Sequence, residues 1–210
     1  MHEEDLKQAA KAAYLLQLKR GSFAEHELTE VVGISEFQHA LDVGYVAAQD
    51  ASGERRYSLT EKGRALFKVV LAGGVYDVLH LGHLAALTEA KSFGDVLVAV
   101  VATDATVHLL KDRKPIFPES DRRALVEGLK PVDRAILGYE DVGFGFEQIL
   151  ADVMPDIVAF GFDQENLEKT VRKIIERRQL KIRIVRLSRF EHEQYLSSSS
   201  VRQNLSEELR

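Results

Sequence analysis

Cysteine and tryptophan are both absent from this chain of 210 residues. Without cysteine the protein forms no disulfide and offers no thiolate for catalysis or metal binding. The sequence also lacks an apolar run long enough to cross a membrane and a signal segment after Met1. Basic residues are fewer than acidic ones, and the net charge is −5. This charge argues against a general affinity for nucleic acid or anionic membranes. These absences predict a cytoplasmic protein that does not act on a membrane.

The composition that is present, 45% hydrophobic and 29% charged residues, is that of an ordinary globular protein. The length allows one large domain or a large domain with a small one. Helical patterns dominate residues 1–67, whereas short apolar runs alternate with helical patterns in residues 68–210. We therefore expect two domains with these bounds.

The order of patterns in residues 1–67 is three short helices, a two-stranded hairpin and a last helix capped by Thr60. This order resembles a winged helix, and Leu59–Gly63 is similar to a segment common after the wing in that family. The third helix, where a recognition helix would be, carries Glu36 and Asp42. Residues 1–67 contain eight Lys and Arg against eleven Asp and Glu, a net charge of −3 that disfavours phosphate contacts. We expect a packing or dimerisation module, and hence a homodimer, rather than a nucleic-acid-binding domain.

The alternation in residues 68–210 predicts an α/β domain with a doubly wound parallel sheet. Ligands of such sheets bind in the crevice beyond the carboxyl ends of the strands. Five short runs rich in Val and Ile are the predicted strands: Val69–Ala72, Asp95–Ala102, Val132–Leu137, Asp156–Phe160 and Ile182–Leu187.

The stretch Gly73–His83, GGVYDVLHLGH, follows the first predicted strand and leads into a helical pattern at Leu84–Phe93. Two glycines let the backbone approach a ligand, and the start of a helix offers N–H groups and a positive dipole end to a phosphate. The pattern therefore predicts a phosphate site. The alternative is an ordinary turn between a strand and a helix, with His80 and His83 capping the helix by chance.

His80 and His83 flank Gly82 where this turn becomes the helix. The two histidines are too close in sequence for the helical HExxH zinc arrangement, and no third histidine or cysteine clusters with them. Imidazoles at this position suit the stabilisation of charge on a phosphoryl group during transfer.

The segments Gly74–Asp77 and His80–His83 resemble the G-T-F-D and H-x-G-H signature of the cytidylyltransferase-like nucleotidyltransferases. That superfamily transfers a nucleoside monophosphate from a nucleoside triphosphate to a phosphate-bearing acceptor. Val75 and Tyr76 stand where threonine and phenylalanine are usual. The resemblance implies catalytic roles for both histidines and magnesium carried by the triphosphate, with Asp77 as a candidate ligand. The nucleotide-binding residues implied in this stretch are Gly74, Val75, Tyr76, Asp77, His80, Gly82 and His83.

Two cations are assigned to the catalytic site by the same resemblance. Lys114 lies in a basic loop around Pro115, where the family has a lysine that reaches the phosphates. Arg122 opens a helix at the position of a family arginine that holds the site together or meets the triphosphate. A solvated cluster of charges is the alternative for the loop, and a surface position is the alternative for the arginine.

Two later segments complete the predicted nucleotide site. Asp163 follows a glycine at the end of the fourth strand, where its carboxylate could accept hydrogen bonds from a ribose or a base; capping of the next helix is the alternative. The run Leu196–Val201 resembles the I-S-T/S-T/S segment of the superfamily, which assigns Ser197, Ser198 and Ser199 to the triphosphate. A serine-rich linker is the alternative for that run.

Within the superfamily, residues 68–205 look most like the archaeal FAD synthases, on Arg113–Glu119, Leu129–Gly138 and Gly161–Gln164. The resemblance implies transfer of AMP from ATP to FMN, which gives FAD and pyrophosphate, with Mg²⁺ on the ATP. A CTP-dependent cytidylyltransferase that acts on glycerol 3-phosphate or a phospho-alcohol is the alternative enzyme. A nucleotide-sensing transcription regulator is the alternative from another class, and the acidic third helix speaks against it.

Overall fold

The computed structural model describes residues 3–51, 54–141 and 145–189. Contacts between residues divide the chain into two compact units, with the division between Lys68 and Val69.

The first unit has the elements that the sequence patterns predict, in the predicted order. A core of apolar side chains holds them, and the edge of the Phe37 ring packs on Tyr57 with the ring centres 5.0 Å apart. The elements are α1 (Glu3–Arg20), α2 (Glu25–Val32), α3 (Ile34–Asp42), β1 (Val46–Ala51), β2 (Glu54–Leu59) and α4 (Glu61–Arg64). The two strands are antiparallel, with Val46 opposite Leu59. Assignment to the winged-helix family stays a prediction.

The cap of the last helix is confirmed, because the Thr60 hydroxyl accepts a hydrogen bond from the N–H of Gly63 at 3.1 Å. The helix itself is one turn long, and it is shorter than the segment Leu59–Gly63 that resembles the winged-helix family. Gly63 lies so close to the backbone that a Cβ there would come within 2.4 Å of the Tyr45 carbonyl oxygen. Only glycine fits at this position.

The second unit alternates strands and helices, as predicted for an α/β domain. Its elements are β3 (Val69–Gly74), α5 (Leu81–Lys91), β4 (Val96–Val101), α6 (Asp104–Lys111), α7 (Glu119–Glu127), β5 (Arg134–Leu137), α8 (Gly145–Val153), β6 (Ile157–Phe160), α9 (Glu165–Arg178) and β7 (Arg183–Arg186).

The strands form one parallel sheet in the order β5-β4-β3-β6-β7, which confirms the doubly wound topology. The chain moves from β3 outward to β5, and then crosses back to β6 on the other side of β3. This reversal creates a crevice at the carboxyl end of β3, where ligands of such folds bind. The central strands are continuous apolar runs because both of their faces are buried.

Two aspartates fasten the opposite end of this sheet. A carboxylate oxygen of Asp156 accepts a hydrogen bond from the N–H of Val69 at 2.8 Å, where β3 begins. Asp133 accepts from the N–H of Leu97 in β4 at 2.6 Å. Asp156 lies directly before β6, which pairs with β3, and Asp133 lies directly before β5, which pairs with β4. These hydrogen bonds therefore help to set the register between the paired strands.

Among the described residues, no helix combines the length and the apolar character needed to cross a membrane.

Candidate active site

The segment after β3 doubles back over the end of that strand. Tyr76 adopts the left-handed backbone conformation, with φ of 52°, which is uncommon for a bulky residue. Its ring is buried and covers Gly74, where a Cβ would come within 2.8 Å of the ring atom Cζ. Burial raises the pKa of the Tyr76 phenol above its usual value, so the hydroxyl stays neutral across the physiological range.

His80 and His83 lie together at the start of α5. Their rings stack with centres 3.8 Å apart and planes 23° from parallel. The edge of Tyr76 packs on His83 at 5.3 Å between ring centres. Three aromatic rings therefore form one column, from the end of β3 to the first turn of the helix that contains Gly82.

His80 is the N-cap residue of α5, and its Nδ1 accepts a hydrogen bond from the N–H of His83 at 3.4 Å. Partial burial lowers the pKa of His80, which favours the neutral ring. A neutral imidazole that accepts at Nδ1 carries its proton on Nε2. His80 therefore has an Nε2–H group with which to bind a phosphoryl oxygen.

Asp77, which the sequence suggests as a metal contact, binds protein groups in this structure, and its contact with magnesium stays a prediction. Its carboxylate is buried and accepts hydrogen bonds from the N–H groups of Ile116 at 2.6 Å and Phe117 at 3.3 Å. It also pairs with Arg113 at 3.3 Å. These contacts attach the loop 113–117 to the segment that leads to the histidines. The described residues contain no cluster of three or more His, Asp or Glu side chains suited to a metal, so they do not fit a metal held by the protein alone.

Arg122 is fully buried and binds three separate parts of the domain. Its guanidinium donates to the carbonyl oxygens of Val75 at 2.5 Å, Ala102 at 2.8 Å and Phe117 at 3.0 Å. It also forms an ion pair with Asp104 at 2.6 Å. Of the two roles that the sequence suggested, this geometry supports holding the site together. The side chain is occupied by protein groups and closed off from solvent in this structure, and contact between Arg122 and the triphosphate stays a prediction.

Lys114 lies in the same loop, but its side chain is exposed. It lines a cavity of about 520 Å³, together with residues of α6 and of the loop that precedes α7. Lys114 is therefore available to an anionic ligand, whereas Arg122 is not.

Asp163 is exposed at the end of β6, on the other side of β3 from β4. The first residue of α9 is Glu165 and its N-cap residue is Gln164, so Asp163 is not the helix cap of the alternative interpretation.

Gln164 is a residue whose importance the sequence analysis missed. Its side chain accepts from the N–H of Gly161 at 2.8 Å and donates to the carbonyl oxygen of Gly73 at 2.9 Å. It thereby ties the carboxyl ends of β6 and β3 together. A polar residue directly after a strand-ending glycine turn was the available signal.

The predicted site residues in the described part of the chain all lie at the carboxyl edge of the sheet or in segments hydrogen-bonded to it. Gly74, Val75, Tyr76, Asp77, His80, Gly82 and His83 follow β3 directly. Arg122 contacts Val75, the loop of Lys114 is bonded to Asp77, and Asp163 follows β6. Ser197, Ser198 and Ser199 lie outside the described residues.

Comparisons with known proteins cover most of the second unit. The family model described as Cytidylyltransferase-like matches residues 71–204. The chain is 44% identical over 138 residues to an FAD synthase of Thermoplasma acidophilum, which covers 66% of this chain and 94% of that protein. It is 47% identical over 121 residues to an FAD synthase of Aciduliprofundum boonei, which covers 58% of this chain and 78% of that protein.

Solved structures show the same fold. The crystal structure of a protein of Thermoplasma volcanium, described as a lipopolysaccharide core biosynthesis protein, superposes with a TM-score of 0.55 at 42% identity and covers 60% of this chain and 99% of that one. A pantoate-beta-alanine ligase of Francisella tularensis superposes with a TM-score of 0.51 at 13% identity, over 70% of this chain and 67% of that one. The second likeness concerns the fold alone.

Proposed function

We propose that this chain, which belongs to the cytidylyltransferase-like family, is an FAD synthase that transfers AMP from ATP to FMN. The relatives from two archaea that carry this name support the assignment, because one of them is matched over 94% of its length at 44% identity. The observation that carries the mechanism is the stacked pair of His80 and His83 at the start of α5.

In this reaction a phosphate oxygen of FMN attacks the α-phosphorus of ATP. The new P–O bond forms as the bond between the α-phosphorus and the oxygen bridging to the β-phosphate breaks, and pyrophosphate leaves. The acceptor is already an anion, so no side chain has to act as a nucleophile or remove a proton. The protein therefore contributes mainly orientation and stabilisation of charge.

The histidine pair suits that role. The His80 Nε2–H group can donate to an oxygen of the α-phosphate, where negative charge redistributes in the transition state. His83 is held between the rings of His80 and Tyr76, so its position is fixed before the substrate binds. The N–H groups in the first turn of α5 add the positive end of the helix dipole.

The remaining residues have binding or positioning roles in this proposal. Lys114 neutralises phosphate charge, Asp163 binds the nucleoside, and Ser197, Ser198 and Ser199 bind the β- and γ-phosphates. Arg122 and Asp77 hold the loops on which these groups are carried. Magnesium enters with ATP in this proposal, because the charge on the transferring and leaving phosphates needs neutralising.

Residues 1–67 carry none of the groups assigned to chemistry. We propose a packing or dimerisation role for this domain, a homodimer as the assembly and the cytoplasm as the location.

The experiment is an end-point assay with purified full-length chain. FMN or glycerol 3-phosphate is incubated with ATP or with CTP in the presence and absence of Mg²⁺, and the nucleotide products and pyrophosphate are separated and quantified. We expect FAD and pyrophosphate in equal amounts with ATP, and no product without the divalent ion. Cytidylylation of glycerol 3-phosphate without any FAD formation would refute the assignment in favour of the CTP-dependent alternative.

A further inference from the structure

A cavity of about 520 Å³ lies between the start of α6 and the loop that precedes α7. Five of its lining residues are apolar: Ala105, Pro115, Ile116, Phe117 and Pro118. Its volume is within the range of small-molecule sites. On the basis of the proposed function, we propose that this cavity binds the isoalloxazine ring of FMN and that Lys114 binds the FMN phosphate.

The first support is the exposure of two large apolar side chains on a fixed backbone. Ile116 is 47% exposed and Phe117 is 42% exposed, although both of their N–H groups are bound to the buried carboxylate of Asp77. The hydrogen bonds to Asp77 fix the backbone of Ile116 and Phe117, and both side chains line the cavity. A flat apolar ring that packs on Phe117 would bury this surface without a rearrangement of the loop.

The second support is the short connection between the cavity and the histidine pair, which runs through the hydrogen bonds to Asp77 and then along the chain to His80. Asp77 lies three residues before His80, so the carboxylate that fixes Ile116 and Phe117 belongs to the segment that presents the histidine pair. A ring that packs against this loop therefore has a fixed position relative to the segment that carries His80 and His83. This arrangement favours the acceptor rather than a ligand of a remote site.

The third support concerns which substrate occupies which side of β3. In-line transfer places the attacking oxygen and the leaving pyrophosphate on opposite sides of the α-phosphorus, so the acceptor and the pyrophosphate need separate regions. The nucleoside is bulky and needs a region of its own. Asp163, assigned to the nucleoside, follows β6 on one side of β3. The cavity is built from α6, which follows β4 on the other side. With the nucleoside on the β6 side, the cavity on the β4 side is a separate region that the acceptor can occupy.

The charges at the cavity fit the same occupant. Three polar residues line it, namely Asp104, His108 and Lys114. The Asp104 carboxylate is paired with the buried Arg122, which offsets its repulsion of a phosphate. Among the described residues that line the cavity, exposed Lys114 is a cation that can bind the FMN phosphate, while the apolar wall accepts the ring. Glycerol 3-phosphate has no apolar ring to fill such a wall.

The test uses the full-length chain and the variants Phe117→Ala, Phe117→Tyr and Lys114→Ala. Binding of FMN and of riboflavin is measured by the anisotropy of flavin fluorescence, with α,β-methylene-ATP and Mg²⁺ present so that no transfer occurs. The KM for FMN is measured separately in FAD synthesis at saturating ATP. Leu109→Ala is the matched control, since Leu109 is an apolar side chain of α6 that is 70% exposed and is not among the residues that line the cavity.

We expect Phe117→Ala to weaken both flavins by about tenfold, as loss of a well-packed aromatic contact does. Phe117→Tyr should bind nearly as well as the wild type, because it keeps a ring. Lys114→Ala should weaken FMN strongly and riboflavin little, because riboflavin has no phosphate. Leu109→Ala should change neither affinity.

The failure of this inference is distinguishable from failure of the proposed function. FAD synthesis by the wild type, with the KM for FMN unchanged in Phe117→Ala, would overturn the cavity assignment and leave the enzyme assignment standing. Absence of FAD synthesis by the wild type under all conditions would overturn both. Equal weakening of FMN and riboflavin by Lys114→Ala would overturn the role of Lys114 alone.

Discussion

The ring of Tyr76 covers Gly74 so closely that a Cβ on Gly74 would come within 2.8 Å of Cζ. Side chains do not pack at that distance, so the ring reaches its place only because residue 74 has no side chain. The same ring packs on His83, which stacks on His80. The absence of one methyl group at the end of β3 therefore permits the arrangement of the histidine pair.

Substitution of Gly74 by Ala should thus lower kcat, because the displaced Tyr76 ring would displace His83. We expect a loss of about tenfold or more, since shifts of about 1 Å in catalytic geometry can cost up to a hundredfold. Gly73→Ala is the control, because a Cβ there would lie 3.8 Å from the Val100 carbonyl oxygen, an ordinary contact. Steady-state FAD synthesis should show the larger loss in Gly74→Ala; equal losses in the two variants would contradict the role of the ring.

Replacement of either histidine by Ala should lower kcat by about a hundredfold, because loss of one preorganised donor costs about 3 kcal/mol of transition-state stabilisation. ATP affinity should change less. His80 also caps α5, so His80→Asn provides a second variant that keeps a capping side chain. If His80→Asn restored full turnover, capping rather than charge stabilisation would explain the effect of His80→Ala.

Substitution of Arg122 should mainly lower stability, whereas substitution of Lys114 should mainly lower activity. Arg122→Met leaves three carbonyl oxygens and Asp104 without the guanidinium that donates to them, and each polar group left unsatisfied inside the fold costs about 1–3 kcal/mol. We expect a large drop in Tm for that variant, measured by circular dichroism. Lys114→Ala should keep the wild-type Tm and lose activity. A stable but inactive Arg122→Met would indicate direct contact with substrate instead.

The pKa of His80 is lowered in the folded protein, so the unfolded chain binds a proton more readily at this residue. The stability associated with neutral His80 is present above its ordinary pKa of about 6.5 and is lost as the pH falls through the lower value of the folded state. NMR titration of the imidazole ring in the ligand-free protein should give His80 a pKa below its ordinary value. Chemical denaturation should show a smaller loss of stability at acid pH in His80→Asn, and an unshifted titration would contradict this.

A chain that begins at Lys68 should fold and keep a turnover number within about tenfold of the full chain, a barrier change of less than about 1.4 kcal/mol. The second unit has its own core and carries every residue assigned to chemistry. Lower solubility is the expected cost of truncation. A truncated protein with a normal circular dichroism spectrum and no activity would mean that residues 1–67 supply part of the site.

The sequence predicted the parallel sheet well because its strands are continuous Val-rich and Ile-rich runs, a pattern that follows from burial on both faces. The spacing of His80 and His83 around Gly82 also predicted that both lie at the start of one helix, where the structure has them; their joint action in catalysis stays a prediction. Local patterns decided both results.

The sequence left two roles open for Arg122, and local patterns could not choose between them. An arginine near a phosphate site suggests phosphate binding, and only the fold brings the carbonyls of Val75, Ala102 and Phe117 around it. The bridge from Gln164 to Gly73 spans 91 positions in the sequence and leaves no periodic signal. The left-handed conformation of Tyr76 likewise depends on its packing over Gly74.

The aspartates that bind Val69 and Leu97 lie at the end of the sheet away from the reacting groups. Hydrogen bonds that help to set strand register therefore lie at one edge of the sheet, while the loops that we propose for substrate binding lie at the other. Loop 113–117 is attached to the catalytic segment through Asp77 and Arg113. Evolution, or a protein engineer, can thus exchange Ile116 and Phe117 for residues that fit another acceptor while the scaffold and the transfer chemistry are inherited unchanged.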